Sequence, residues 1–373
     1  MNNAMRSPFA KLREDKVPAI GCLPLYPPEE LIHSFGAVPV VLWGLKDVVR
    51  RTPGADKHIQ NYVCSIVRNV AEFLFTDDSA GLWGLFFYNA CDPVRNLPEI
   101  LADGWKARAM KAPALFRIHV PLNSLDRDYG GKYLAGEIGT LIGELERFFS
   151  ADFSPARFSE SVSRYDEMRA LAREVELLVA RGALSFSDFS RVMMENTYLP
   201  VEDRIARLLS LRERYAKNPA PAASHEKKRV VLSGIHPPPP KVISMIEGAG
   251  MTVVGNDIAA LARSYGPGPG PTDDPADPCE YYVSFYRDHF PCTTLIGSSD
   301  RRVPVLIGLA REREAAGLIV IGEKFCEYEY FEIPHIAGRL GERGIKTLTL
   351  EFSAEDDNLG PIKTRIEAFG EML

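Results

Sequence analysis

Apolar runs of strand length alternate along this chain with stretches of helical period, and the alternation occurs twice over. Residues 19–25 read as a strand, 28–35 as a short helix opened by Pro and Glu and closed by Gly36, and 38–42 as a second strand. A helix over 56–75, a strand over 82–88, a helix from Asp92 to about residue 102 and a strand over 114–120 follow. Neighbouring parallel strands need a crossover and antiparallel ones do not, so this alternation implies βαβ units. Residues 131–215 are almost entirely helical in period, which suggests a helical excursion packed on the first sheet. The segment KNPAPAASHEKK (217–228) has the composition of an exposed connection, and after it the alternation restarts. Strands are expected over 229–234, 252–254, 318–322 and 347–352, with helices over 238–247, 279–289, 301–315, 331–342 and 362–372. The division is therefore an N-terminal α/β domain over 1–216, with its excursion from about residue 130 to 216, and a C-terminal α/β domain over 229–373.

Composition narrows what such a chain can do. At 46% hydrophobic and 25% charged residues it can bury a core, and its net charge of −6 repels nucleic acid. No run approaches the roughly 18 apolar residues of a membrane span, and residues 1–15 lack an apolar signal core, so a cytoplasmic setting without membrane contact is expected. Six cysteines (Cys22, Cys64, Cys91, Cys279, Cys292, Cys326) are too few for a disulfide scaffold, which leaves free thiols or metal ligands. There is no CxxC, HExxH or His pair at helical spacing. No GxGxxG follows a strand, and the prolines of 266–278 remove the amides a phosphate cradle needs, so that stretch reads as a surface loop.

Cys91 and Cys326 each follow a strand and precede a helix, placing both beyond the carboxyl ends of strands, where open parallel sheets form their crevice. Cys64 reads as a residue within a helix, beside Val63, Val67 and Arg68, and from spacing alone it reads as a small buried hydrophobe before it reads as a ligand. Glu30 and His33 share a helix face and could act as acid and base, although Glu near a helix start is also a good dipole partner. Asp92 reads as a helix cap, Arg95 as a solvated arginine, and Tyr328, Tyr330 and Phe331 as core wall.

Five blocks then carry a resemblance: IGCLPLYPPEELIHSFGAVPVVLWG from Ile20, NYVCSIVRN around Cys64, NACDPVRNLPEIL around Cys91, GEKFCEYEYFEIP around Cys326, and the ending TRIEAFGEML. In their order, and with a cysteine in each of the middle three, they resemble the 2-hydroxyacyl-CoA dehydratase and benzoyl-CoA reductase family, closest to the substrate-side subunits of ATP-dependent benzoyl-CoA reductase. The resemblance implies two Rossmann-like domains and a 4Fe-4S cluster in the cleft between them, held by Cys64, Cys91 and Cys326 with one iron left open. It implies transfer of a very low-potential electron to an acyl-CoA carbonyl, giving a ketyl-type radical. Implied partners are an acyl-CoA substrate, a paralogous subunit or a second copy, and an ATP-dependent iron-sulfur activator. An electron relay, or a double-cubane protein using Cys22, Cys279 and Cys292 as well, stands as the alternative. Where relatives often read Gly-Gln before the last helix, this chain has Gly360-Pro361, a change that bears on the helix start alone.

Overall fold

The computed structural model describes residues 10–49, 51–121, 125, 128–217, 227–269, 276–289, 299–353 and 358–373. Cys292 and most of the 217–228 connection lie outside them, as does 270–275 of the Pro-Gly loop. The described helices are α1 (Ala10–Glu14), α2 (Glu29–Ser34), α3 (Ser65–Leu74), α4 (Asp92–Ala107), α5 (Asp128–Phe149), α6 (Pro155–Ala180), α7 (Phe186–Asn196), α8 (Val201–Ala216), α9 (Pro240–Gly248), α10 (Pro278–Asp288), α11 (Ser299–Glu312), α12 (Glu327–Gly341) and α13 (Gly360–Met372). The strands are β1 (Ala19–Leu23), β2 (Val38–Val41), β3 (Gly84–Tyr88), β4 (Ala114–Ile118), β5 (Lys228–Gly234), β6 (Met251–Ile258), β7 (Gly317–Glu323) and β8 (Lys346–Phe352).

They form two four-stranded sheets, ordered β2-β1-β3-β4 and β6-β5-β7-β8, and every pairing is parallel. These are two Rossmann-like α/β units, each reversing strand order between its first and third strands. Helices on both faces explain the unbroken apolar runs. In β5 and β7, Val231, Leu318 and Val320 pack with Val303 and Ile336 of α11 and α12, whereas Val230, Leu232, Ile319 and Ile321 join the main core. Pro361 sits in the first turn of α13, which begins at Gly360, a position that tolerates proline.

The carboxyl ends of the two sheets face one another. The Tyr26 hydroxyl, past β1, donates to the carbonyl of Ala259, past β6, at 3.1 Å, and Trp43 Nε1, past β2, donates to Ile235 O, past β5, at 3.1 Å. The helical excursion does not rest on the first sheet alone. Helix α5 packs on β4 and α10, and α6 packs on α2, α8 and β6. Along α6, Arg169 reaches Glu30 of the first half, while Arg173 donates to Tyr265 O at 2.8 Å and Glu176 accepts from Asn256 Nδ2 at 2.8 Å in the second. The excursion is a strut between the halves. Periodicity shows that a helix is amphipathic and cannot show which surface it covers.

At the end of α10, His289 is buried between the rings of Tyr26 and Phe285, with centroids 4.2 and 5.0 Å away. Burial pushes its imidazole down from 6.5 to about 3, and the charges of Arg169 and Arg263 push the same way. A folded-state value below the unfolded one means stability that is complete above about pH 6.5 and is lost as pH falls toward 3. Urea unfolding at pH 7 and pH 4 is expected to show a loss of about 3 kcal/mol that His289→Phe removes. An equal loss in both proteins would refute this assignment.

Among the described residues no helix is long and apolar enough to cross a membrane.

Candidate thiol centre at the junction of the two sheets

Cys64 is not inside a helix. Residues 55–57 form a single 3-10 turn, and the α-helix begins only at Ser65, which leaves Cys64 as its N-cap. Cys91 N-caps α4 and Cys326 N-caps α12, so all three thiols stand at helix N-termini. Apolar residues recur across the irregular stretch 58–64 between that turn and the helix, which is why the sequence alone merges them. The cap of α4 is thus Cys91 rather than Asp92, whose side chain pairs with Arg95 at 3.0 Å on the exposed surface.

The thiols lie close enough to sense one another. Burial pushes Cys64 up to about 12, and the Glu323 carboxylate and the Cys91 thiol add to the rise. Burial likewise lifts Cys91 to about 11, with a smaller push from Asp92. Cys326 is driven well above the ordinary range by burial, then by Glu329, Cys64 and Cys91. Pulling the other way are first-turn amides: Val67 and Ile66 at Cys64, Val94 at Cys91, and Glu329 at Cys326. No cap hydrogen bond of regular geometry forms at these three positions, yet each sulfur faces amides left unpaired by its helix. Without a cation, burial favours the neutral thiol at all three positions. A positively charged centre would reverse that balance, because a thiolate bound to metal is stabilised outright.

The donor set, three thiols at helix starts, is of the chemical kind that holds iron-sulfur clusters. Three thiolates on one tetrahedral ion would lie about 3.8 Å apart, and no group of three or more His, Cys, Asp or Glu among the described residues is arranged to hold a metal ion. Thiolates on separate irons of a cube stand farther apart, and sulfur ligands approached by backbone amides are the usual setting of such clusters.

Two buried carboxyls flank Cys326 in the pattern Glu323-x-x-Cys326-x-x-Glu329, a spacing that carries no local sign of burial and so draws no attention in the sequence. Glu323 ends β7 and accepts from Ser65 Oγ at 2.5 Å. Burial raises Glu329 to about 7, offset in part by Arg302; its Oε2 accepts from Glu323 N at 3.2 Å and its Oε1 has no partner among the described residues. Around the junction, Phe325 and Tyr26 both hold left-handed backbone (φ +66 and +63), a conformation that costs a bulky residue about 1–2 kcal/mol. Tyr328 and Phe331 are not core wall: they are 41% and 79% exposed on α12. The face that α12 buries is formed by Glu329, Ile333, Ile336 and Leu340, and Tyr328 and Phe331 lie off it.

Other candidates lie elsewhere. Glu30 is buried and accepts from Arg169 through two nitrogens at 2.7 Å each, from Tyr282 OH at 2.8 Å and from Tyr281 OH at 3.2 Å. His33 Nδ1 meets Ser161 Oγ at 2.8 Å, and since that hydroxyl donates to Arg157 O, the proton between them belongs to the imidazole. Its Nε2 faces Glu202 at 3.4 Å. The structure therefore gives Glu30 and His33 separate partners, and these are not the residues of the thiol junction. Cys22 is fully buried in β1 with its thiol on Ile20 O, and Cys279 is half-buried in the first turn of α10.

Two doubly wound units joined at their carboxyl ends, with a thiol from each of three helix starts meeting there, define a class of two-lobed α/β protein built around a cysteine centre. The chain belongs to the family described as 2-hydroxyglutaryl-CoA dehydratase, D-component, whose model matches residues 24–373. It is similar to the (R)-phenyllactyl-CoA dehydratase beta subunit of Clostridium sporogenes, at 26% identity over 95% of this chain and 91% of the relative. The beta subunit of (R)-2-hydroxyglutaryl-CoA dehydratase from Acidaminococcus fermentans is 24% identical over 98% and 95%, and a benzoyl-CoA reductase subunit from Thauera aromatica is 24% identical over 95% and 90%. The chain is an enzyme subunit of this family.

Proposed function

We propose that Cys64, Cys91 and Cys326 hold a 4Fe-4S cluster with one open iron, in a subunit that serves acyl-CoA reduction or 2-hydroxyacyl-CoA dehydration. The observation that carries this reading is the convergence of three thiols, from both halves of the chain, on three helix N-termini, with Cys91 acting on Cys64 and both acting on Cys326. When bound, the cluster supplies a low-potential electron to an acyl-CoA thioester. The helix starts would favour the thiolate form of the three ligands, and the nearby Glu323 carboxyl would oppose further negative charge there. The relatives are named as beta subunits of dehydratases and as a subunit of a reductase, which supports an assembly with a partner subunit; a paralogous subunit or a second copy, an ATP-dependent iron-sulfur activator and a cytoplasmic setting belong to the proposal. Glu30 and His33 we assign to joining the helical strut to the first half rather than to proton transfer.

The relay reading keeps the same thiols and differs in lacking an acyl-CoA site of its own. Electron paramagnetic resonance of the reduced, anaerobically purified assembly decides between the two. A spectrum changed by benzoyl-CoA or a 2-hydroxyacyl-CoA is expected; an unchanged one favours the relay, and no iron in the chain would refute the cluster.

A further inference from the structure

We propose that the Ser65–Glu323 hydrogen bond is a latch that sets the separation of Cys64 and Cys326 across the two halves; this rests on the cluster reading for its purpose, though not for its geometry. Cys64 and Cys91 belong to the first half and Cys326 to the second, so a rigid centre requires the halves to be registered where the thiols meet. Ser65 follows Cys64 directly and opens α3, and its hydroxyl donates to Glu323 Oε1 at 2.5 Å across 258 residues of chain. Both residues are about 2% exposed. Glu323 also grips the turn that carries Cys326 with both of its backbone groups. Its carbonyl accepts from Cys326 N at 3.0 Å, and its amide donates to Glu329 Oε2 at 3.2 Å. One residue thus ties the Cys326 turn to the start of the Cys64 helix. The bonds made by Tyr26 and Trp43 join the halves through turns that bear none of the three thiols.

A bond that merely satisfied a buried carboxyl would leave the thiol spacing alone, and this separates the two roles. The test treats the metal-free full-length chain with the shortest bifunctional thiol reagent that bridges Cys64 to Cys326, mapped on peptides. Ser65→Ala is expected to lower the bridging yield about tenfold, as losing a hydrogen bond to a charged group does, and Ser65→Thr, which keeps the hydroxyl, to restore it. After reconstitution with iron and sulfide, Ser65→Ala should release iron to a chelator about tenfold faster than wild type. If Ser65→Ala does not fold, Glu323→Met, of similar length and without an acceptor oxygen, carries the same expectation. Bridging that is unaltered in the variants overturns the latch whatever the iron content. Bridging that responds to Ser65 in a chain that never retains iron upholds the latch and overturns the cluster reading instead.

Discussion

Anaerobic reconstitution of the Cys326→Ser chain with iron and sulfide is expected to retain at most about a tenth of the wild-type iron, and Cys64→Ser and Cys91→Ser should match it. Altering a group that only orients a ligand already weakens metal sites by about 10–100-fold, and losing a ligand exceeds that. Cys22→Ala is the control. Its thiol lies wholly inside the first sheet on Ile20 O, so the substitution should lower stability modestly and leave iron retention unchanged. Iron and sulfide content per chain, with the absorbance of the bound cluster, is the measurement. Equal retention in Cys22→Ala and wild type, with loss in the other three, separates ligands from packing residues. Retention in Cys326→Ser would remove the second half from the centre altogether.

The second large effect lies in the strut. Arg169→Met should lower the unfolding free energy by about 3–5 kcal/mol, because it strands the Glu30 carboxylate in the interior with only two tyrosine hydroxyls for company. Glu30→Gln combined with Arg169→Met should recover much of the loss, since the uncompensated charge disappears with the residue. For comparison, Asp92→Ala breaks a pair whose side chains are 75% and 60% exposed, and should change stability by less than about 0.5 kcal/mol. Denaturant titration of the four proteins at pH 7 provides the check. Were Arg169→Met as mild as Asp92→Ala, the contact would contribute nothing to joining α6 with the first half, and the role assigned to Glu30 would fall with it.

Particular residues show how far local pattern reaches. The strands over 84–88 and 317–323 are legible because side chains buried on both faces leave an unbroken apolar run between turn residues. Cys91 and Cys326 are legible as residues past strand ends, and the blocks around all three thiols carry the family. Local pattern puts Cys64 inside a helix because apolar residues recur across 58–64, which are irregular, and the break there is what brings its sulfur to a helix start. Tyr328 and Phe331 escape it for another reason: they lie off the stripe of Glu329, Ile333, Ile336 and Leu340 that α12 buries, and aromatic character alone does not show which face of a helix is covered.

Taken alone, the order of amino acids determined the two α/β repeats, the helical stretch between them and the cysteines worth watching, since each depends on burial repeating every two or 3.6 residues over a short span. Tertiary structure decided the rest: that α6 bridges both halves, that Glu30 answers to Arg169, and that Ser65 meets Glu323 across 258 residues. Those contacts depend on how two separately formed sheets abut at their carboxyl ends, a relation between distant surfaces that no local periodicity encodes.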